Sequence, residues 1–376
     1  MAKVSIVKCT DYNSDVTKKV EEAMKLIQAE KILKKGQKVL LKPNILMGAN
    51  PEKAISTHPK VMDALIVYLK KFNVKIYIGE SSGMGAPSGT DAAFKKSGIA
   101  DVAKKHAVPF VNFDSDEHKV ISVKGAKVLK SMQISKKLLE MDMVIDVCKL
   151  KTHMMTYYSG AIKNMYGVLP GRAKMHGHFI GKSIKGFSNI LLDVYMAKIP
   201  TLILMDGIVG MEGNGPSNGS PKKTNLLLAS DNGIALDIVA SRIIGFKEKE
   251  LIMFQLAKQR GLFPENITVL GEKNVSVPYK KPLKLFFDVN SLASMTVFSF
   301  LRSGFDSDKS LCKKCGICIS HCPEKTIYWK KGYPYFDKKK CIMCYCCHEL
   351  CPYHAVLLKK SFVAKVADKI LKRYND

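Results

Sequence analysis

No stretch of this chain approaches the ~20 uninterrupted apolar residues that crossing a bilayer requires, and the N-terminus, MAKVSIVKCTD, lacks a long apolar leader segment. A soluble, cytoplasmic protein with no membrane span is therefore expected. Also missing is a clean G-x-G-x-x-G after the first strand, and Gly79 to Gly85 does not replace it, which argues against a Rossmann-type nicotinamide cofactor. Acidic residues are scarce: 33 Asp plus Glu stand against 60 Lys plus Arg, leaving a net charge of +27. Such a charge either reflects a lysine-rich proteome or steers acidic partners, among them an acidic redox protein (ferredoxin or flavodoxin), an acidic enzyme, an anionic small molecule, a membrane surface or nucleic acid. Because no nucleic-acid recognition motif accompanies the charge, nucleic acid ranks last of these.

With 376 residues, 47% of them hydrophobic, the chain can bury a large core and carry a smaller module besides. Over residues 1–275 strand and helix patterns alternate. A helical spacing at Val16, Val20, Met24 and Ile27 precedes the apolar strand Val39–Leu41, and Pro59 suits the first turn of a helix through Val61, Leu65 and Leu69 that leads to a strand at 74–79. Further strands are expected at 108–113, 143–148, 201–206, 225–230 and 267–271, with helices near 182–197, 232–245 and 248–261. This order predicts an α/β fold: a mostly parallel sheet with helices on both faces and ligands beyond the carboxyl ends of the strands. Residues 276–300, with Pro278 and Pro282 and an apolar run from Leu292 to Leu301, read as a connector; 301–360 form a small α+β module, and 361–376 the basic end of a terminal helix.

Nine of the eleven cysteines fall in that module, eight of them in a repeat in which Cys312-x2-Cys315-x2-Cys318-x3-Cys322-Pro323 recurs as Cys341-x2-Cys344-x2-Cys347-x3-Cys351-Pro352. In a reducing compartment such thiols serve as metal ligands rather than disulfides. This is the spacing of the bacterial two-cluster run, whose fourth cysteine crosses to the other 4Fe-4S cluster. On that pattern Cys312, Cys315, Cys318 and Cys351 form one ligand set and Cys341, Cys344, Cys347 and Cys322 the other. Structural zinc is the weaker alternative, and Cys346, which breaks the repeat, is a bystander. Thr326–Trp329 and Tyr333–Phe336 flank Lys330-Lys331-Gly332 and read as a hairpin whose aromatic residues could shield a cluster. Residues 301–376 carry 16 Lys plus Arg against 7 Asp plus Glu, a balance suited to an acidic docking partner. Residues 300–357 thus resemble a bacterial-type 2x(4Fe-4S) ferredoxin domain, and the resemblance implies a relay of single low-potential electrons.

In the larger domain, polar residues gather where strands should end. Lys151 and His153 are the candidates for chemistry, and Lys42, Asn44, Thr57, His58, Lys163, Asn164, Arg172, His176 and Glu212 for holding a substrate, because lysine, arginine, asparagine and histidine beside loop glycines suit a carboxylate or phosphate. For each residue taken singly, ordinary solvation of a strand end is the competing explanation. The segment Asp206–Pro216, with too many glycines for a helix, reads as a lid or a ligand-binding turn. Asp231 and Asp237 read as helix caps. His153, His176 and His178 raise a metal site, but the spacing supplies no assured third ligand.

The phrases LLKPN, THPKVMDAL, KLKTH, GAIKNMYGVLPG, DGIVGMEGNGP and LASDNGIALD make residues 37–250 resemble the DUF362 family, a family of unknown function often joined to a ferredoxin domain. The expectation is an iron-sulfur oxidoreductase or reductive activator with two 4Fe-4S clusters, passing electrons to a ligand in the cationic loops. No motif supports flavin or a further metal. The alternative is a non-catalytic carrier whose large domain docks an acidic enzyme.

Overall fold

Period-two alternation of apolar side chains makes strands, and strands apolar on both faces must be covered on both faces. The computed structural model describes residues 1–83, 87–181, 183–283 and 304–359, and only the backbone of Pro87 and Arg172. Its larger body runs β1 (Ala2–Lys8), α1 (Val16–Leu26), β2 (Lys38–Pro43), α2 (Pro59–Lys70), β3 (Lys75–Glu80), α3 (Pro87–Lys96), α4 (Ile99–His106) and β4 (Phe110–Asn112). There follow β5 (His118–Ser122), β6 (Ser131–Ser135), α5 (Lys136–Leu139), β7 (Met143–His153), β8 (Tyr157–Ser159), α6 (Ala161–Asn164), α7 (Gly171–Gly181) and α8 (Ile184–Ala197). The body closes with β9 (Leu202–Asn214), β10 (Asn218–Ser230), α9 (Gly233–Ile243), α10 (Ile252–Gln259) and β11 (Ile267–Gly271). The cysteine-rich module contains β12 (Gly304–Ser307), α11 (Ile317–Ser320), β13 (Ile327–Lys330), β14 (Tyr333–Phe336), α12 (Cys346–Glu349) and β15 (Val356–Lys359).

The sheet has the order β11-β1-β10-β9-β7-β2-β3-β4, with β8 added to β7. β2 runs parallel to β3 and β7, β3 to β4, β7 to β9 and β1 to β11, whereas β10 is antiparallel to both neighbours. The expected mostly parallel α/β sheet is thus the observed one. Alternation along β2 assigns its faces: Val39 and Leu41 enter a core with α1, α2 and α4, and Leu40 enters a second core with α8, α9 and α10. Each such side chain, fully buried, stabilises the fold by roughly 1.5–3 kcal/mol. β7 is central, and all eleven of its residues are buried.

Local chemistry sets the helix starts. Pro59 opens α2, and the His58 Nδ1 accepts a hydrogen bond from Lys60 N at 3.2 Å. Asn232, rather than Asp231, caps α9, its side chain accepting from Ile234 N and Ala235 N at 3.0 Å each. Asp231 instead accepts from Lys3 N at 2.9 Å. Asp237, inside α9, caps a different helix: its carboxylate accepts from Ala161 N (2.7 Å), Ile162 N (2.9 Å) and the Tyr158 hydroxyl (3.0 Å). That anchor fixes α6, which carries Lys163 and Asn164.

One expectation is corrected. Asp206–Pro216 is neither lid nor turn along most of its length, because β9 continues through Asn214 and pairs antiparallel with β10. Its glycines admit close neighbours: a Cβ on Gly210 would lie 2.7 Å from the Leu150 carbonyl oxygen. The hairpin β5–β6 carries no strong pattern in the sequence. The apolar run 292–301 and the basic helix at 361–376 lie outside the described residues.

Replacing Asp237 by Ala strands three buried donors, and a fall in stability of about 3 kcal/mol is expected, read as a lower urea midpoint at unchanged slope.

Candidate functional site

Removing an ammonium from water costs several kcal/mol unless a partner replaces the water. At the carboxyl ends of β2, β7 and β9, and on α7, four lysines are buried: Lys42, Lys149, Lys151 and Lys174. Two are ion-paired. Lys42 Nζ lies 2.8 Å from Glu80 Oε2, and Lys149 Nζ lies 2.8 Å from both Asp206 Oδ2 and the Tyr12 hydroxyl. Two sit in cages of neutral oxygens. Lys151 donates to Asn44 Oδ1 (2.6 Å) and the Ile55 carbonyl (2.8 Å), whereas Lys174 donates to the Ser81 carbonyl, Ser81 Oγ and the Ser82 carbonyl. Burial lowers the Lys174 ammonium to about 8 and pulls Lys151 well below its usual range, where nearby Lys163 and Lys149 push it further.

Lys163 is different. Half-buried at the end of α6, its ammonium has no hydrogen bond or ion pair among the described residues. Burial lowers its pKa, opposed by Glu349 and then Cys346 of the small module, and Lys163 in turn bears on His153. The two bodies therefore meet at this lysine. His153 Nδ1 accepts from Met155 N (3.1 Å) and Thr156 N (3.3 Å), so the ring proton sits on Nε2. That nitrogen faces Glu349 Oε1 at 3.4 Å, and neither atom has a hydrogen-bond partner among the described residues. Burial holds His153 neutral and raises Glu349 to about 7.

The junction is tied by the tip of β9–β10. Ser217 Oγ donates to the Glu349 carbonyl (2.6 Å), Asn218 Nδ2 donates to the His348 carbonyl (2.8 Å), and His354 pairs with Asn218 Oδ1. Two adjoining clefts of about 410 and 420 Å³ open beside it and share Asn50, Lys53 and His354. Ile55, whose carbonyl holds Lys151, lines the first.

In the small module no cysteine forms a disulfide among the described residues. Cys318 is raised to about 11, by burial first and then by Cys351, Cys315 and Cys312 beside it. Burial also raises Cys347, with Cys344, Cys341 and Cys322 the next causes. The thiols thus neighbour one another in the two sets that the crossed spacing gives. Backbone N–H groups reach three of the sulfurs: Thr326 N to Cys322 (3.4 Å), Met343 N to Cys341 (3.4 Å) and Ala355 N to Cys351 (3.3 Å). Among the described residues no three His, Cys, Asp or Glu side chains converge closely enough to hold a single metal ion. Cysteine thiols in sets of four are ligands of the kind that a multi-iron cubane takes.

The DUF362 family model, described as a domain of unknown function, matches residues 39–242 of the 376. The chain belongs to the DUF362 family. A thylakoid-associated protein of Synechocystis sp. is 30% identical over 233 residues, spanning 62% of this chain and 70% of the relative. Among solved structures, the lactate racemase apoprotein from Thermoanaerobacterium thermosaccharolyticum aligns at 14% identity with a TM-score of 0.40, over 62% of this chain and 57% of that one. The DUF362 region contains the buried lysines, His153 and Lys163, and the cysteine-rich module lies beyond it. No helix among the described residues is long and apolar enough to cross a membrane.

Of the residues expected to form the site, Asn44, Lys151, His153, Lys163 and Asn164 gather at the junction or its floor. Lys42 is consumed by Glu80 and helps build the scaffold of the DUF362 fold. Thr57 is likewise structural, bonding the Val147 carbonyl at 2.6 Å and accepting from Asn44 N at 2.9 Å. His58 stacks on Tyr12 with centroids 3.6 Å apart and caps α2, so it turns away from a ligand role. Two assignments are corrected. His176 is exposed, stacked against Phe179, and Glu212 accepts from Lys280 N at 2.9 Å, which spends it on the chain after β11. The Arg172 side chain lies outside the described residues.

Sequence reading missed Glu80, Asp146, Lys174 and Glu349. An acid inside the apolar run Met143–Cys148 was the available signal for Asp146; nothing local marks Glu349. Asp146 Oδ1 accepts from Asn164 Nδ2 at 2.5 Å, its Oδ2 is unpartnered, and Lys42, Glu80 and Asp237 are the charges that face it. Burial raises it from 3.8 to about 8. The unfolded chain therefore releases this proton first. The stability contributed by protonated Asp146 is complete below about 3.8 and is lost as pH rises through about 8, at up to about 1.4 kcal/mol per pH unit. Asp146→Asn cannot ionise, so its stability, followed by urea unfolding from pH 5 to pH 8, should fall less steeply than that of the parent protein.

Proposed function

We propose that this protein is an iron-sulfur reductase or reductive activator, with an α/β domain over residues 1–275 joined by a connector to a two-cluster module over 301–360. The eight repeated cysteines would hold two 4Fe-4S clusters, which when bound supply single low-potential electrons. Cys322, Cys341, Cys344 and Cys347 would bind the cluster next to the DUF362 domain, and Cys312, Cys315, Cys318 and Cys351 the other.

The observation that carries the reading is Lys163, a cation without a partner among the described residues, set between the neutral His153 and the Cys346–Glu349 turn. Elsewhere at this edge the buried lysines are satisfied; Lys163 is left with a charge to give. A carboxylate or phosphate suits it, since charge-assisted hydrogen bonds in a desolvated site contribute about 1.5–3 kcal/mol each. Lys151 adds positive potential from behind, held still by Asn44 and Ile55. The Nε2–H of the neutral His153 faces the same space and can donate a hydrogen bond to a bound anion. The clefts at Asn50, Lys53 and His354 give a ligand its way in, past a rim that is itself cationic.

Anaerobic purification with iron and sulfide analysis tests the first half, with about eight irons per chain expected. Zinc in their place, or far fewer irons, would overturn it. Native mass spectrometry for a retained anion tests the second. Lys163→Met should keep its iron and release that anion with an affinity loss of about tenfold or more, whereas an anion held equally by parent and variant would remove Lys163 from the site.

A further inference from the structure

Each cysteine set has two buried thiols, Cys318 and Cys351 in one and Cys344 and Cys347 in the other, and Cys312, Cys322 and Cys341 are half-buried; Cys315 alone among the described cysteines is exposed, whereas α12, which holds Cys347, is tied down by the β9–β10 tip. Beside Cys315 stands the hairpin β13–β14. Tyr328, Trp329 and Tyr335 point into solvent at 47%, 49% and 42% exposure, so they do not shield the interior as their sequence suggests. Tyr328 and Tyr335 pack together, centroids 5.1 Å apart, on one side of the hairpin. The Trp329 ring edge reaches Gly316, where a Cβ would lie 3.7 Å from Cζ2.

Six exposed lysines lie on this hairpin and the stretch leading to it: Lys309, Lys313, Lys314, Lys325, Lys330 and Lys331. None is ion-paired among the described residues. Several are held over aromatic faces, Lys314 at 4.6 Å and Lys309 at 5.5 Å from the Tyr333 centroid and Lys330 at 4.7 Å from that of Tyr335. Exposed aromatic anchors ringed by like charges add little to folding, and rigid rings with pre-placed cations are what a recognition surface uses.

We propose that this hairpin and the Cys312–Cys318 loop form the electron-uptake face of the protein, docking a small acidic redox carrier, with delivery at the other set, beside Lys163. The inference rests on the iron-sulfur reading above and adds a direction to it. The carrier, a reduced acidic ferredoxin, gives up one electron and the module gains one; no bond forms and no proton moves. Aromatic rings and lysines also suit single-stranded nucleic acid or an anionic membrane. Cys315, the exposed thiol beside the patch, favours a redox partner, because electron entry needs a cluster ligand near solvent and the other two do not need that placement.

The test is anaerobic stopped-flow reduction of the full-length, iron-loaded protein by a pre-reduced bacterial ferredoxin of net negative charge, with photoreduced deazaflavin as a reductant indifferent to docking. Lys314→Glu/Lys330→Glu/Lys331→Glu should slow ferredoxin-driven reduction by about tenfold at low salt and remove most of its salt dependence. Trp329→Ala should slow it several-fold, and neither variant should change iron content or the deazaflavin rate. Unchanged ferredoxin rates would overturn the proposal. So would equal slowing by Lys104→Glu/Lys119→Glu, exposed lysines on the larger body, or a patch that binds single-stranded DNA or anionic vesicles while reduction is unaffected. Parent protein without iron would instead defeat the iron-sulfur reading itself.

Discussion

A lysine ammonium inside a protein must find a counter-charge or a cage of oxygens, and the carboxyl edge of this sheet is organised by that demand. Glu80 and Asp206 meet it for Lys42 and Lys149, and carbonyls, a hydroxyl and an amide meet it for Lys151 and Lys174. These contacts join β2 to β3, β7 to β9 and α7 to the loop after β3, so the charges act as fasteners at the place where the parallel strands run out of apolar sequence. Losing one partner would leave an uncompensated buried charge, a defect of about 3–5 kcal/mol. Glycine enters the same constraint: a Cβ at Gly167 would stand 2.8 Å from Lys42 Nζ and press on Glu80.

Against that background Lys163 stands out because it sits among satisfied lysines. Asp237 anchors the first turn of α6 through Ala161 and Ile162, which sets where Lys163 emerges. The small module then covers it with Glu349 and Cys346 rather than with a well-formed ion pair. A junction of two domains that leaves His153 Nε2, Glu349 Oε1 and the Lys163 ammonium without hydrogen bonds is poor as a structural interface and reasonable as a ligand site.

The sheet was largely legible in the sequence because its strands are apolar runs bounded by turn residues; β7, β10 and β11 begin or end within a residue or so of the pattern. Glycine misled the reading at 206–216, where small residues serve a close approach between strands and not a loop. Site lysines were legible as a set but not as roles. Lys42 meets Glu80 38 positions away and Lys149 meets Asp206 57 positions away, distances that no local pattern spans. Glu349 lies further still along the chain, in a turn whose local signature is set by cysteine. Spacing likewise grouped the cysteines but said nothing of which thiols reach solvent, which depends on how the module is seated against β9–β10.

Lysine abundance, read from composition as one undivided charge of +27, separates in the fold into two opposite uses. Inside, Lys42, Lys149, Lys151 and Lys174 are desolvated and fixed by short hydrogen bonds, Lys163 stands among them without one, and the field there is strong and little screened by salt. On the β13–β14 hairpin the ammonium groups stay in water, some of them over aromatic rings, where their field is weak per charge, additive over many charges and screened within a Debye length. The first arrangement suits holding one small anion at one orientation. The second suits capturing a large acidic surface from solution and releasing it quickly, because rim charges govern encounter more than lifetime. With Cys315 exposed on the screened side and Cys344 and Cys347 buried on the desolvated side, the module lies between two recognition problems that the same residue type solves by opposite means.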